Sequence, residues 1–255
     1  MHSSAIHDGL RTRRLGRPLS LYERVGSTND VAREMAEAGA PEGAAVLAAE
    51  QSGGRGRKGR RWASPSGGLW LSVVLRPTLR LEAWRLIGFA AGAGAATALE
   101  SVTGRTIQLK WPNDLILESR KVGGILVESA GGVAILGIGI NVNFAHDALP
   151  EDVRRGATTI LASLGRSVDL AVLTRAILEQ VEYFYDLMQR DPKTVLRSWR
   201  MRSFLTGQFV QVSGVHTLEG VAEDVDDNGA LLIRTASGIQ PVTVGDVSVR
   251  ETRAP

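Results

Sequence analysis

Four short apolar segments follow one another closely in the middle of the chain, separated by residues of turn composition. Such segments predict strands, and their short connections favour a mixed or antiparallel sheet. The connecting segments are ESRK at 118–121 and AGG at 130–132. The four predicted strands are 107–111, 115–117, 124–128 and 133–143.

Apolar patterns elsewhere predict further strands and helices around this sheet. We therefore expect an α+β fold over residues 1–205, with a mixed or antiparallel sheet flanked by helices. After residue 206 short alternating strands and a tight turn at DDNG (226–229) predict a small SH3-type barrel over residues 206–255. The other predicted strands are 19–24, 44–50 and 69–75, the predicted helices are 27–39, 81–102, 169–189 and 192–202, and the barrel strands are 209–215, 218–222, 230–234 and 242–249.

The composition excludes several kinds of chemistry. The 255 residues contain no cysteine, which rules out disulfides, zinc thiolate sites and a thiol nucleophile. The four histidines lie far apart in the sequence, so no structural metal site is expected. No secretory signal is visible, and the longest uncharged apolar stretch, 86–99, is too short to span a bilayer. We expect a cytoplasmic protein without a membrane partner, in which 86–99 is a buried helix.

The loop GGRGRKGRRWASPSGGLWL, which begins at Gly53, carries five basic residues within 55–61 and no acid there. Its glycines match G-x-G-x-x-G, but a dinucleotide fold needs a helix to follow at once, and here serine, proline and glycine follow. A nucleic-acid interface could use Trp62 and Trp70, yet no recognised binding module surrounds the loop, and the formal net charge is only +3. A solvated charged loop would explain the charge but not the glycines.

A different interpretation of the loop accounts for both features. Glycines allow close approach of the backbone, and several guanidinium groups can bind phosphate oxygens. We therefore expect a mobile loop that becomes ordered when it closes over a small acid and a nucleotide phosphate. Only four of the 30 basic residues are lysine. Because arginine cannot replace the compact ammonium of lysine, Lys110 and Lys121 are candidates for a specific role.

Four separated segments, in this order and spacing, resemble the biotin protein ligases. The resemblance extends from about residue 20 to the C-terminus and includes GVAEDVDDNGALLIR and GDVSVR. It implies a catalytic domain of the class II aminoacyl-tRNA synthetase type followed by an SH3-like domain. It also implies a ligase that forms biotinyl-5′-AMP from biotin and ATP and transfers the biotin to a lysine of a biotin carboxyl carrier protein. The segments are GSTND (26–30), EQSGGRGRKGRRW (50–62), KWPNDL (110–115) with RKVGGILVE (120–128), and GIGINVN (137–143).

The resemblance implies roles for individual residues. Lys121 is the leading catalytic candidate, because it would reach both the biotin carboxylate and the α-phosphate. The other catalytic candidates are Arg57, Lys110 and Asp114. The implied biotin contacts are Ser27, Thr28, Asn29, Gln51, Arg55, Gly56, Arg57, Lys121, Gly123 and Gly124. The implied ATP contacts are Arg55, Arg57, Trp62, Lys110, Asn113, Lys121 and Asn141.

Several of these residues have a simpler explanation from the sequence alone. Ser27 or Thr28 could only cap the helix, Trp62 could be a buried structural residue, and 113–114 could be a turn. Lys58 is interpreted as a solvated charge. Mg²⁺ is expected to enter with the ATP phosphates, with Asp114 as a candidate contact. Residues 144–159 carry no assignment.

The expected protein partner is a biotin carboxyl carrier domain. An exposed sheet edge could dock this carrier or pair two subunits of a homodimer. Some family members carry an N-terminal helix-turn-helix domain, but here the resemblance begins near residue 20, so no DNA partner is expected and RTRR (11–14) is expected to be a solvated tail. Two rival functions remain open: a lipoate or octanoate ligase or transferase of the same fold, and nucleic-acid binding through 55–61.

Overall fold

The computed structural model of the protein describes residues 3–213 and 217–250. The strands of its larger sheet are β1 (Leu19–Val25), β2 (Ala45–Gln51), β3 (Leu69–Leu75), β4 (Gln108–Lys110), β5 (Asp114–Leu117), β6 (Arg120–Ala130) and β7 (Val133–Ile140). They lie in the order β1-β2-β3-β7-β6-β5-β4. β1 and β2 are parallel, and the other neighbours are antiparallel. The mixed sheet predicted from the short connections is therefore confirmed.

Helices cover both faces of this sheet. They are α1 (Ser3–His7), α2 (Thr28–Glu37), α3 (Arg85–Thr103), α4 (Glu151–Arg154), α5 (Ile160–Leu164), α6 (Leu170–Arg190) and α7 (Pro192–Arg200). α2 packs through Ala32 and Ala36 on one face, while α3, α6 and α7 form the core on the other. Because successive strand residues point to opposite faces, a strand covered on both sides is buried throughout. This explains why every residue of β3 is buried.

α3 is the buried helix that the apolar stretch predicted. By length and composition, Leu81–Thr103 would also pass as a membrane span, but 72% of its most apolar window is buried inside the fold. A Cβ atom at Gly94 would lie 2.8 Å from the carbonyl oxygen of Gln180. The helices α3 and α6 therefore approach each other too closely for a side chain at this position.

The N-terminal segment belongs to the core, and the expectation that 11–14 is a solvated tail was wrong. Leu15 is fully buried. Glu182 of α6, itself only 7% exposed, accepts hydrogen bonds from the backbone N–H groups of Arg13, Arg14 and Leu15 at 2.7, 2.8 and 2.8 Å. The partner lies more than 160 positions away, so the local charge run could not reveal it.

Glu182 should contribute strongly to stability. We expect Glu182→Ala to lower the free energy of unfolding by about 2–4 kcal/mol, because three backbone N–H groups lose their acceptor at a buried place. Urea unfolding followed by circular dichroism measures this loss. Glu179→Ala is the matched control: Glu179 accepts one exposed bond, from the backbone of Arg11, so the loss should be below about 1 kcal/mol. Equal losses in both variants would contradict the role of Glu182.

The C-terminal sheet contains β8 (Phe209–Ser213), β9 (Leu218–Val225), β10 (Leu231–Thr235), β11 (Gly238–Val242) and β12 (Asp246–Val249). Their order is β11-β10-β9-β8-β12, with antiparallel neighbours throughout. The predicted DDNG turn is confirmed, with Gly229 at a φ of 81°. Asp226 stabilises this turn, because its carboxylate accepts from the backbone N–H groups of Asn228 and Ala230, each at 2.8 Å.

Two strands replace the single strand predicted over 242–249. The alternating apolar residues suggested a continuous strand, but the chain turns at 243–245, and β12 then pairs with β8. A Cβ atom at Gly245 would lie 2.5 Å from Cγ1 of Val212, so this close approach requires glycine. The last two residues of the strand predicted over 209–215 lie outside the described residues. The domain boundary between 205 and 206 remains a prediction.

Candidate active site

A pocket of about 400 Å³ opens where the start of α2 and the end of β2 meet the glycine-rich loop and the strands β6 and β7. Four segments that are far apart in the sequence thus contribute to one cavity. Among the described residues, Lys110, Asp114 and Gly123 do not line it. The predicted site residues that do line it are Ser27, Thr28, Asn29, Gln51, Arg55, Gly56, Arg57, Trp62, Asn113, Lys121, Gly124 and Asn141.

Neutral polar side chains form one part of the pocket. Gln51, the last residue of β2, accepts hydrogen bonds on Oε1 from the backbone N–H and the hydroxyl of Thr28, at 2.8 and 2.9 Å. Its Nε2 donates to the hydroxyl oxygen of Ser64 at 2.8 Å. Ser27 makes no side-chain capping bond to any described residue of α2, so helix capping does not explain its place in the pocket. Gln51 holds the start of this helix instead.

Two serines that the sequence did not single out complete this network, Ser64 and Ser72. Ser72 lies in the middle of β3 and is fully buried. Its hydroxyl oxygen is 2.7 Å from Oγ1 of Thr28 and 2.6 Å from Oδ1 of Asn29, and Nδ2 of Asn29 donates to Glu128 at 2.7 Å. The available signal was a polar residue within the apolar run LWLSVVL, since a buried hydroxyl needs partners.

Glycines of β6 and β7 form the floor of the pocket. Gly124, Gly137 and Gly139 line it. A Cβ atom at Gly137 would lie 2.5 Å from Oδ1 of Asn29, and one at Gly139 would lie 2.9 Å from Nε1 of Trp62. Larger residues on this floor would therefore displace Asn29 and Trp62. Glycine on this floor therefore lets Asn29 and Trp62 pack directly against the strand backbone.

Lys121 is held at the pocket wall by several independent contacts. Its Nζ lies 2.5 Å from Oδ1 of Asp114 and 5.0 Å from the centre of the Trp62 ring, which is within cation–π range. Its backbone N–H donates to the carbonyl of Gly156 at 2.9 Å, and its carbonyl accepts from the N–H of Thr158 at 2.8 Å. The position of this ammonium group is therefore well determined.

The three predicted residues that do not line the pocket lie next to it. Lys110 pairs with Asp114 across β4 and β5. Burial lowers the pKa of Lys110, the Asp114 carboxylate raises it and the Lys121 ammonium lowers it, and the net result is a decrease. Gly123 allows β6 and β7 to pair closely, because a Cβ atom at this position would lie 2.8 Å from the carbonyl oxygen of Gly139. Asp114 thus neutralises charge between two lysines.

The basic loop is a short hairpin whose charges are partly neutralised by acids from other elements. Arg55 donates two hydrogen bonds of 2.6 Å to the carboxylate of Asp30 in α2. Lys58 and Arg60 both bind Asp246, the first residue of β12, at 3.1 and 2.8 Å. Lys58 is solvent-exposed, as expected of a solvated charge, but it also forms this ion pair with Asp246. These ion pairs reduce the mutual repulsion of the five cations in the loop.

Burial and charge act in opposite directions on the residues around the loop. Burial raises the pKa of Asp246. The hydrogen bond from Lys58 and the charge of Arg60 lower it by more, so the pKa of Asp246 lies below its usual value. Arg57 is different, since it makes no ion pair within the described residues. Burial lowers the pKa of Arg57, and its guanidinium donates to the carbonyl oxygen of Gly245 at 3.4 Å. Mobility of this loop remains a prediction.

Residues 144–159, which had no assignment from the sequence, form another wall of the pocket. Nδ2 of Asn141 donates to the carbonyl of Thr158 at 3.0 Å, so this predicted nucleotide contact also anchors the wall. Nε2 of His146 lies 3.1 and 3.0 Å from two carbonyl oxygens of the same segment, and it must donate to them. The lining residues of this wall are Leu149, Pro150, Asp152, Val153 and Ala157.

The pocket combines a network of neutral hydrogen-bonding side chains, a glycine floor and the cations Lys121 and Arg57. A pocket of this kind suits an enzyme that binds a small acid beside a phosphate-bearing cosubstrate. The model of the Biotin/lipoate A/B protein ligase family matches residues 21–144, and that of the Biotin protein ligase C terminal domain matches residues 207–250. The chain belongs to the biotin/lipoate protein ligase family.

Relatives of the chain cover nearly its whole length. The bifunctional ligase/repressor BirA of Bacillus spizizenii is 32% identical over 98% of this chain and 79% of its own length. The biotin–[acetyl-CoA-carboxylase] ligase of Paracoccus denitrificans is 33% identical over 89% of this chain and 98% of its own. The biotin protein ligase from Aquifex aeolicus, solved in complex with biotin and ATP, has a TM-score of 0.84 at 29% identity, covering 94% of this chain and 100% of that one.

Proposed function

We propose that this protein is a biotin protein ligase. It forms biotinyl-5′-AMP and pyrophosphate from biotin and ATP, and then transfers the biotin to a lysine of a biotin carboxyl carrier domain. The observation that carries this proposal is that the Thr28–Gln51 network, the glycine floor and Lys121 meet in one pocket. The activities named for the relatives from Paracoccus denitrificans and Aquifex aeolicus support it.

The residues of the pocket fit the two substrates. The ureido ring of biotin presents rigid donors and acceptors, and Thr28, Asn29 and Gln51 supply matching groups. Nε1 of Trp62 is a buried donor that has no partner among the described residues, so an acceptor on a ligand would satisfy it. The negative charges of a carboxylate and a triphosphate require cations, which Lys121 and Arg57 provide.

In the first step a carboxylate oxygen of biotin attacks the α-phosphorus of ATP, and the bond to the β-phosphate oxygen breaks to release pyrophosphate. Both reactants are anions, so a cation placed between them stabilises the transition state. Lys121 has this role, because Asp114 and the backbone of 156–158 hold its ammonium group at the pocket wall. Arg57 covers the pocket and limits access of water to the adenylate.

In the second step the amine nitrogen of the acceptor lysine attacks the acyl carbon of biotinyl-5′-AMP. The acyl–oxygen bond breaks, AMP leaves, and the nitrogen loses a proton. Asp114 binds Lys121 and does not line the pocket, so we assign it to position Lys121 and keep it as the candidate acceptor of the proton of the incoming lysine. No covalent intermediate on the protein is required, which agrees with the absence of cysteine.

Mg²⁺ is expected to enter the site with the phosphates of ATP. The described residues contain no group of three or more acidic or histidine side chains that could hold a metal ion. Asp114 stays a candidate contact, although its carboxylate binds Lys121 in this structure. The metal would add positive charge along the phosphate chain.

The proposed function is tested by incubating the protein with biotin, magnesium ATP and a purified carrier domain, followed by the intact mass of the carrier. We expect a gain of one biotinyl group on one lysine, with release of pyrophosphate. Lipoate and octanoate replace biotin in parallel reactions, because the rival ligases act on these acids. Faster activation of either acid would favour the rival, and no mass gain in any reaction would reject a protein ligase.

The glycine floor gives a sharper test of the biotin end of the pocket. We expect Gly137→Ala to weaken biotin binding by about 10- to 100-fold, because the new Cβ displaces Asn29 from its bonds with Ser72 and Glu128. Isothermal titration calorimetry with biotin measures this change. Gly88→Ala is the control, since a Cβ there meets no atom within 4 Å. Unchanged affinity in Gly137→Ala would contradict the assignment of this floor.

The finer partner assignments are also proposals. We expect a biotin carboxyl carrier as the protein partner, a cytoplasmic location and no DNA partner, with homodimer formation left to a measurement of mass in solution. The basic loop is a poor nucleic-acid surface, because three of its five cations are engaged in ion pairs with Asp30 and Asp246. Salt-dependent DNA binding that biotin and ATP do not change would favour the rival.

A further inference from the structure

The five cations of the basic loop fall into two groups. Arg55, Lys58 and Arg60 are paired with acids of α2 and β12. Arg57 and Arg61 make no ion pair within residues 3–213 and 217–250, and both line the pocket. The paired cations hold the loop on the rest of the fold, whereas the unpaired ones are available to a ligand.

Arg61 lies directly opposite Arg55 in the hairpin. The two backbone hydrogen bonds that flank this pair, 2.8 and 2.7 Å long, make it a non-hydrogen-bonded pair, in which the side chains are closest. Like charges that face each other in such a pair repel. The charge of Arg55 is balanced by Asp30, but that of Arg61 is not balanced within the described residues. An anion in the pocket would therefore be attracted to Arg61.

We propose that Arg61 binds the terminal phosphates of the nucleoside triphosphate and the pyrophosphate that is released from them. This inference rests on the proposed function, in which pyrophosphate leaves from this pocket. Lys121 acts at the carboxylate and the α-phosphate and Arg57 covers the pocket, while Mg²⁺ neutralises the triphosphate only in part, so the two further phosphates keep negative charge that a protein cation can bind. Arg61 lines the pocket and forms no ion pair with the described residues, and its planar guanidinium can bind two phosphate oxygens at once.

Isothermal titration calorimetry with magnesium pyrophosphate, in the absence of biotin and ATP, tests this inference. We expect Arg61→Ala to weaken pyrophosphate binding about 10-fold, and Arg61→Lys about 3-fold, because lysine keeps the charge but not the bidentate geometry. Binding of AMP, which lacks the terminal phosphates, should change less than about 2-fold. In steady-state kinetics, Arg61→Ala should raise the KM for ATP more than the KM for biotin.

Arg24→Ala is the matched control, because it removes the same charge from an exposed position outside the pocket lining. An equal loss of pyrophosphate affinity in this variant would indicate only long-range charge and would overturn the inference. Unchanged pyrophosphate binding in Arg61→Ala, an equal loss of AMP binding, or no pyrophosphate binding by the unsubstituted protein would also overturn it. The titration contains no biotin, so its result does not depend on carrier labelling. Failure of carrier labelling would reject the proposed function, whereas failure of the titration would reject only the role of Arg61.

Discussion

Replacing Lys121 by alanine is expected to lower the rate of biotin-dependent pyrophosphate release about 10³-fold. In the proposed first step negative charge builds beside this ammonium as the carboxylate joins the α-phosphate, and Asp114 lies 2.5 Å from it. Biotin binding without ATP should weaken less, by about 10-fold, because the network around Gln51 is untouched. A coupled pyrophosphate assay measures the rate, and calorimetry measures the binding.

Lys193→Ala provides the matched control for this substitution. Lys193 is a surface lysine with a 76% exposed side chain, 4.0 Å from Asp227, so its loss should leave the rate unchanged. Lys121→Arg keeps the positive charge but not the compact ammonium, and should recover no more than about one tenth of the activity. A rate in Lys121→Ala within about 10-fold of that of the unsubstituted protein would contradict the catalytic role.

Local sequence patterns predicted most of the sheet, but they underestimated β6. The apolar stretch suggested a strand over 124–128, whereas β6 spans Arg120–Ala130. Four of its first five residues are charged or glycine, which hides the strand pattern. The turn predicted over 118–121 is confined to Glu118 and Ser119, which adopt positive φ values of 50° and 61° without glycine. Tertiary pairing with β5 and β7 compensates for these unfavourable local preferences.

The ordered motifs predicted which segments approach the pocket, but not which charges meet there. Asp246 binds Lys58 from 188 positions away, and no local pattern specifies such a pair. The wall over 144–159 was missed for a similar reason, since backbone bonds to Lys121 and Asn141 position it. Ser72 was missed as well, although its position within an apolar run was an available signal, because a hydroxyl in a buried strand requires partners. Residue type in a buried strand therefore indicates that a side chain has partners, whereas the loop sequence does not indicate which acids its cations bind.

Arg57→Gly is expected to release biotinyl-5′-AMP from the pocket, so that lysines of unrelated proteins become biotinylated. Arg57 lines the pocket, and its guanidinium contacts the carbonyl oxygen of Gly245 at 3.4 Å. Loss of a charged hydrogen bond to the adenylate should raise its escape rate about 10- to 100-fold. The added glycine also makes the closing loop more flexible. Streptavidin blotting of an unrelated protein measures this labelling over time.

The variants at Arg57 and Lys121 separate retention of the intermediate from its formation. With Lys121→Ala the adenylate is not formed at a useful rate, so neither the carrier nor an unrelated protein should be labelled. With Arg57→Gly pyrophosphate release continues, and labelling becomes indiscriminate because the anhydride reacts outside the pocket. Arg166→Gly removes an arginine from an exposed position outside the pocket lining and should label only the carrier. If Arg57→Gly also labelled only the carrier, the loop would not retain the adenylate, and Arg57 would have to be reassigned.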